Sequence, residues 1–156
     1  MANAAVERFI ERASALGLEV EPREFPEGTR TAADAAAAIG CDVAQIVKSL
    51  VFMADDQPVL ALTSGANRVD ERRLAAAARA QEVRKADADE VRRFTGYAIG
   101  GTPPVGHDQR LLILCDRDLT HHDEVWAAAG SPKHVFGLTP ERLLAATGAT
   151  VVDLAG

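Results

Sequence analysis

Two apolar runs in quick succession constrain this chain more than any other feature. Ile46-Val47-Lys48-Ser49-Leu50-Val51-Phe52-Met53 ends at Asp55-Asp56, and Pro58-Val59-Leu60-Ala61-Leu62-Thr63 follows at once. Runs of this length, rich in β-branched residues and separated by a polar turn, read as a hairpin in the middle of a sheet. Apolar residues fall on both faces of the first run, so both faces must be covered by other elements.

The remainder of the chain supplies those covers. Asn3 to Leu16 puts Val6, Phe9, Ile10, Ala13 and Leu16 on one helical stripe, with Gly17 placed to stop it. Leu18 to Phe25 reads as a short strand closed by Pro26-Glu27-Gly28. Thr31 followed by Asp34 resembles a capping box ahead of an Ala-rich helix to Ile39, ended by Gly40. Asp70 to Ala80 reads as a helix and Glu82 to Lys85 as a short strand. Asp87 with Glu90 caps a further helix that ends near Thr95. Arg110 to Cys115 is a strand, and two short strands are expected between Asp123 and Leu138. Thr139-Pro140 opens a last helix to Thr147, followed by a strand over Thr150 to Leu154. Strands and helices mix without strict alternation, which favours an α+β domain with a mixed sheet over a doubly wound one.

At 156 residues, 47% of them hydrophobic, the chain can close one core but hardly two, so 1–156 is read as a single domain. No run approaches the roughly 20 apolar residues of a membrane span, and the acids in the N-terminal segment do not suit a signal peptide. The expected location is cytoplasmic, with no membrane partner. Cys41 and Cys115 belong to no CxxC and are expected to be buried, reduced thiols. His107, His121, His122 and His134 lack metal-site spacing, so neither a metal nor another cofactor is expected.

The net charge of −6 opposes a broad nucleic-acid footprint and specific DNA binding. The charge is uneven, however. From Arg68 to Arg93 there are eight basic and six acidic residues, a local excess of two positive charges that leaves room for a basic face. A solvated helical surface of Arg–acid pairs accounts for the same composition.

Two features could carry chemistry. The chain uses three lysines against fourteen arginines, and one of the three, Lys48, falls inside its most hydrophobic run. Lysine there either snorkels to the rim or lines a pocket. The second feature is the loop Gly96-Tyr97-Ala98-Ile99-Gly100-Gly101-Thr102-Pro103-Pro104-Val105-Gly106-His107. Glycine lets the backbone approach a ligand and proline stiffens it, so the loop can present N–H groups to a carbonyl oxygen as charge develops there. A tight structural turn has the same composition.

Taken in order, Gln45-Ile46-Val47-Lys48-Ser49-Leu50-Val51-Phe52, then Leu60-Ala61-Leu62-Thr63-Ser64-Gly65, then Gly96-Tyr97 with Gly100-Gly101-Thr102-Pro103-Pro104-Val105-Gly106, resemble the YbaK family. That family includes the editing domain inserted in bacterial prolyl-tRNA synthetases and its free-standing relatives. The resemblance runs from about Leu18 to Leu154 and implies a mixed, partly barrel-like sheet flanked by helices. It implies hydrolysis of the ester joining a wrong amino acid to the terminal adenosine of tRNA, typically tRNA for proline carrying Ala, Cys, Ser or Thr. The family's strand lysine and GxxxP loop fall on Lys48 and on Gly100 to Pro104. Lys48, Gly100, Gly101 and Thr102 are thus the expected catalytic set. Expected substrate contacts are Thr31, Ser49, Phe52, Ser64, Gly65, Pro103, Pro104, Gly106 and His107. Of these, Thr31 is also explained by capping, Phe52 by packing and His107 by a hydrogen bond at a strand start. Expected partners are the acceptor end of mischarged tRNA, with prolyl-tRNA synthetase or an elongation factor. A binding module for tRNA, aminoacyl adenosine or a synthetase, without turnover, is the competing expectation.

Overall fold

The computed structural model describes residues 3–29 and 31–156. The chain opens with α1 (Ala4–Ala15), whose N-cap Asn3 accepts the N–H groups of Ala5 and Val6. Helix α1 buries Val6, Phe9 and Ala13, and the Phe9 ring lies 5.1 Å from that of Phe136. The strand expected over Leu18 to Phe25 shrinks to β1 (Arg23–Glu24), because only these two residues find ladder partners, with the Phe25 N–H donating to the Lys133 carbonyl just beyond them. Helix α2 (Ala32–Ile39) is capped by Thr31, which accepts the Asp34 N–H, and ends on left-handed Gly40. Past it lies a 3₁₀ turn over Val43–Gln45 that sequence periodicity did not signal.

The hairpin is β2 (Ile46–Ala54) with β3 (Gln57–Ser64), antiparallel along its full length. Helix α3 (Glu71–Ala78), β4 (Val83–Lys85) and α4 (Ala88–Thr95) follow; α4 carries the reciprocal Asp87–Glu90 capping box. Next come β5 (Leu112–Asp116), a 3₁₀ turn over Arg117–His121, β6 (Val125–Ala128) and β7 (His134–Leu138). The chain closes with α5 (Pro140–Thr147) and β8 (Thr150–Val152). No described helix is long and apolar enough to cross a membrane.

The result is an α+β arrangement on one mixed sheet of order β1-β7-β6-β2-β3-β5-β8, with β4 paired to β2 off that path. The hairpin is central, as its two apolar faces require. Val47 and Val51 join Leu60 and Leu62 in the larger core, under α1, α4 and α5. Leu50, Phe52 and Ala54 pack on the other face with Ala61, Leu114 and Leu74 of α3. Leu60 and Leu62 are fully buried, each worth about 1.5–3 kcal/mol of transfer free energy. Cys115 is buried, which pushes its thiol up to about 12, whereas Cys41 is only partly buried just past the end of α2; both are free.

Candidate active site

Strand β2 has β3 on one side throughout, but its other side is shared by two short strands. β6 pairs in parallel at Ile46 and Val47, and β4 pairs antiparallel at Phe52, Met53 and Ala54. Between them the edge has no strand partner, apart from the Ala86 N–H that donates to the Val51 carbonyl at 3.0 Å. Since the Val51 carbonyl faces this edge, alternation turns the Ser49 N–H and C=O toward it too. A cavity of about 610 Å³ occupies the interruption, well within the range of small-ligand sites.

The cavity gathers residues from well-separated parts of the chain. Lys48, Ser49, Leu50 and Val51 come from β2; Thr31, Ala32 and Ala35 from α2 and its cap; Gly65 from the end of the hairpin; and Ile99, Gly100 and Thr102 from the Gly/Pro loop. Lys85, Ala86, Val91, Val47, Trp126, Ala127 and Val135 add further parts of the wall. The lining is largely apolar with few polar groups, the composition of a site that holds a small substrate in one orientation.

Lys48 sits on the α3 face of the sheet, between two covers. Ile46 on the same face packs under α2, and Leu50, Phe52 and Ala54 pack under α3. The uncovered place between the helices is where the ammonium emerges. Its Nζ donates to the Asn67 carbonyl at 2.6 Å. Asn67 is held in turn through its Nδ2, which donates to Asp116 at 2.9 Å and Asp118 at 2.7 Å. Asp116 is almost fully buried and also accepts the Ser64 N–H at 3.0 Å and the Asp118 N–H at 3.1 Å. Burial pushes the Lys48 ammonium below the usual lysine range, nearby Lys85 and Arg68 push it further, and Asp116 opposes them. A lysine so placed holds its proton less firmly than a surface lysine and is drawn to an anion.

The loop reaches the opposite wall. Gly100 adopts φ +86°, a region that favours glycine, and Gly101 lies so close to Ser131 that a Cβ there would meet the Ser131 Cα at 2.8 Å. The Gly101 N–H donates to the Ala98 carbonyl and the Thr102 hydroxyl donates to the same oxygen at 3.1 Å, so both donors are occupied. Among the described residues, no protein group takes up the N–H of Gly100 or Thr102. The same holds for Ile99, so the three loop residues that line the cavity all keep a backbone N–H free of protein acceptors.

The structure therefore brings Lys48, Ser49, Thr31, Gly65, Gly100 and Thr102 to one cavity. It places the other sequence-derived candidates elsewhere. Phe52 is 2% exposed in the α3 core, because strand alternation carries it beneath that helix. Ser64 is buried behind the wall, its hydroxyl donating to the Ala44 carbonyl at 2.8 Å. Gly101 supports the loop from behind. Pro103 and Pro104 are buried in the loop base, and Gly106 backs onto Arg12 of α1.

His107 lies off the cavity, its Nε2 2.7 Å from the Pro103 carbonyl. Burial lowers its affinity for a proton, Arg12 adds to this, and the Pro103 carbonyl and Asp108 oppose it. Its pKa when folded is therefore below the ordinary value near 6.5, and the unfolded chain binds the extra proton. Stability from neutral His107 is full above about pH 6.5 and is lost as pH falls from there toward the folded value. Thermal unfolding followed from pH 7.5 to 5.5 is expected to show a steeper loss for the wild type than for His107→Gln, which keeps a donor to Pro103; equal slopes would contradict this.

Sequence reading missed Lys85, Trp126 and the α2 wall. Trp126 is the chain's single tryptophan, and Gly137 opposite it on β7 gives its ring room: a Cβ there would lie 3.1 Å from the ring. It also missed a line of groups in which the Ser131 hydroxyl lies 2.6 Å from His134 Nδ1 and His134 Nε2 lies 3.5 Å from Glu24. The same hydroxyl accepts the Lys133 N–H at 3.0 Å, and neither Ser131 nor His134 is part of the cavity wall. The trio braces the turn behind Gly101.

Residues 26–146 match the model of the aminoacyl-tRNA editing domain. Proline–tRNA ligase of Ligilactobacillus salivarius is 32% identical over 118 residues, covering 70% of this chain and 21% of the ligase. That of Streptococcus thermophilus strain LMD-9 is 33% identical over 127 residues, covering 80% and 20% respectively. The chain thus spans about a fifth of the length of the curated relatives it matches. A crystal structure described as that of a candidate trans-editing enzyme for prolyl tRNA synthetase superposes with a TM-score of 0.95 at 43% identity, covering 100% of this chain and 99% of the other. A hypothetical protein of known structure superposes at 0.87 with 31% identity, covering 96% and 99%. Matched to that model over residues 26–146, the chain belongs to the aminoacyl-tRNA editing domain family.

Proposed function

We propose that this chain hydrolyses, in trans, the ester of a mischarged tRNA, with tRNA for proline carrying alanine, cysteine, serine or threonine as its substrates. The observation that carries the reading is that Lys48 lines one wall of the cavity and Gly100 and Thr102, whose N–H groups no described protein group takes up, line another. An aminoacyl ester is already activated, so a site can act by orienting it beside a water without a Ser or Cys nucleophile. Lys48 would fix the phosphate or ribose end, while Gly100 and Thr102 would donate to the carbonyl as negative charge develops. The apolar wall formed by Ala32, Ala35, Val47, Ala127 and Val135 would take the small side chain. A hydroxyl of the substrate's own ribose would help to activate the water.

The matched ligases and the solved neighbour support proline tRNA as the carrier; prolyl-tRNA synthetase or an elongation factor would deliver it. Residues 1–156 would act as one domain in the cytoplasm, without a cofactor. Release of labelled amino acid from a panel of mischarged proline tRNAs tests the reading. Rapid release of one or two small amino acids is expected, with none from correctly charged tRNA. Binding across the panel without release would replace it with a non-catalytic module.

A further inference from the structure

Two of the chain's three lysines, Lys48 and Lys85, line the same cavity, although arginine outnumbers lysine by fourteen to three. Their meeting is set by register. Lys85 pairs with Phe52 across the β2–β4 ladder, and Phe52 shares the Lys48 face of β2. Arg68 joins them from the loop after the hairpin, one residue beyond the Asn67 carbonyl that holds Lys48. Lys85 and Arg68 are exposed, and among the described residues neither forms an ion pair. Their neighbours differ: Arg84 is spent on Glu90 at 2.7 Å, and Arg73 lies 3.7 Å from Asp70.

Burial lowers the affinity of Lys48 for its proton, and the unpaired cations of Lys85 on the rim and Arg68 beside it lower it further. Such an arrangement is stabilised by anionic groups placed along it. The rim opens on the solvent side of a largely apolar cavity, so the anionic groups belong to the part of the ligand that remains outside.

From this placement we infer that Arg68 and Lys85 form a phosphate-binding rim for the phosphodiester backbone of a single-stranded RNA 3′ end, entering the cavity past Lys48. The inference rests on the editing reading and specifies which residues hold the strand. A two-phosphate stretch next to the terminal adenosine matches the two free cations in charge. The rest of the surface is net acidic and repels further RNA, so recognition is confined to the end of the strand.

Two probes test it: adenosine carrying alanine through a hydrolysis-resistant 3′ amide, and the trinucleotide CpCpA carrying the same group. The wild type is expected to bind the trinucleotide about tenfold more tightly at low salt. Its salt dependence should be steeper by about 1.4 in the slope of log affinity against log salt, as about 0.7 per contacted phosphate requires. In Arg68→Ala/Lys85→Ala the advantage should fall toward one and the extra slope should vanish; each single variant should lose about half of the slope. Both side chains are exposed, and melting of each variant checks that the fold is kept. Equal affinity for the two probes in the wild type would overturn the rim alone. Retention of the advantage by the double variant would do the same, as would equal competition from a di-aspartate peptide. Failure of both probes to bind would instead count against the editing reading itself.

Discussion

Replacing Lys48 with alanine is expected to slow amino-acid release from mischarged tRNA by about 100-fold or more, the scale of losing one preorganised charge contact in a water-poor site. The fold should survive. Lys48 pairs through its backbone with Thr63, which the substitution leaves in place, and its side chain makes one hydrogen bond, to the Asn67 carbonyl. Truncation also relieves repulsion among Lys48, Lys85 and Arg68, so thermal stability should change by no more than about 1 kcal/mol. Lys48→Arg keeps the charge but spreads it over a wider, planar group beside a carbonyl 2.6 Å from the native nitrogen. It should restore part of the activity. Full activity in Lys48→Ala, measured as release of labelled alanine under single-turnover conditions, would remove Lys48 from the chemistry.

The second large effect is on stability. Asp116→Ala removes the acceptor of three donors, the Ser64 N–H, the Asn67 side-chain amide and the Asp118 N–H. Ser64 is 1% exposed, so water cannot replace the lost bond. Leaving these groups unsatisfied should cost about 3 kcal/mol, a fall in Tm on the order of 10 °C for a domain of this size. Release should weaken too at temperatures where the variant remains folded, because Asn67 presents the carbonyl that holds Lys48. Asp118→Ala is the contrast: its side chain is 54% exposed, and a stability change within about 0.5 kcal/mol is expected. Equal melting of Asp116→Ala and wild type would show that the Asp116–Asn67 network does not support the site.

The elements most legible in the sequence were those whose causes are local. Thr31, Asp70, Asp87 and Thr139 each cap the helix that follows them, and left-handed Gly40, Gly96 and Gly148 end three helices. Lys48 was conspicuous because a charged residue in an apolar run calls for an explanation. Less legible was the strand over Leu18 to Phe25, where pairing was decided by the reach of β7 rather than by residue preference. The Gly/Pro loop was recognised as a candidate, but not that Gly101 would spend its N–H on Ala98 while Gly100 and Thr102 kept theirs.

Phe52 shows the limit of alternation. It shares a face with Lys48, yet it lies under α3 while Lys48 lies just outside. By itself the sequence determined the hairpin, the caps and the odd lysine, since periodicity and turn chemistry act over a few residues. Tertiary structure alone decided that β4 and β6, which begin 29 and 71 residues after β2 ends, would share one edge of a nine-residue strand and leave its middle open. Strand pairing is a contest among distant segments for the same backbone groups, and a cavity forms where none of them reaches.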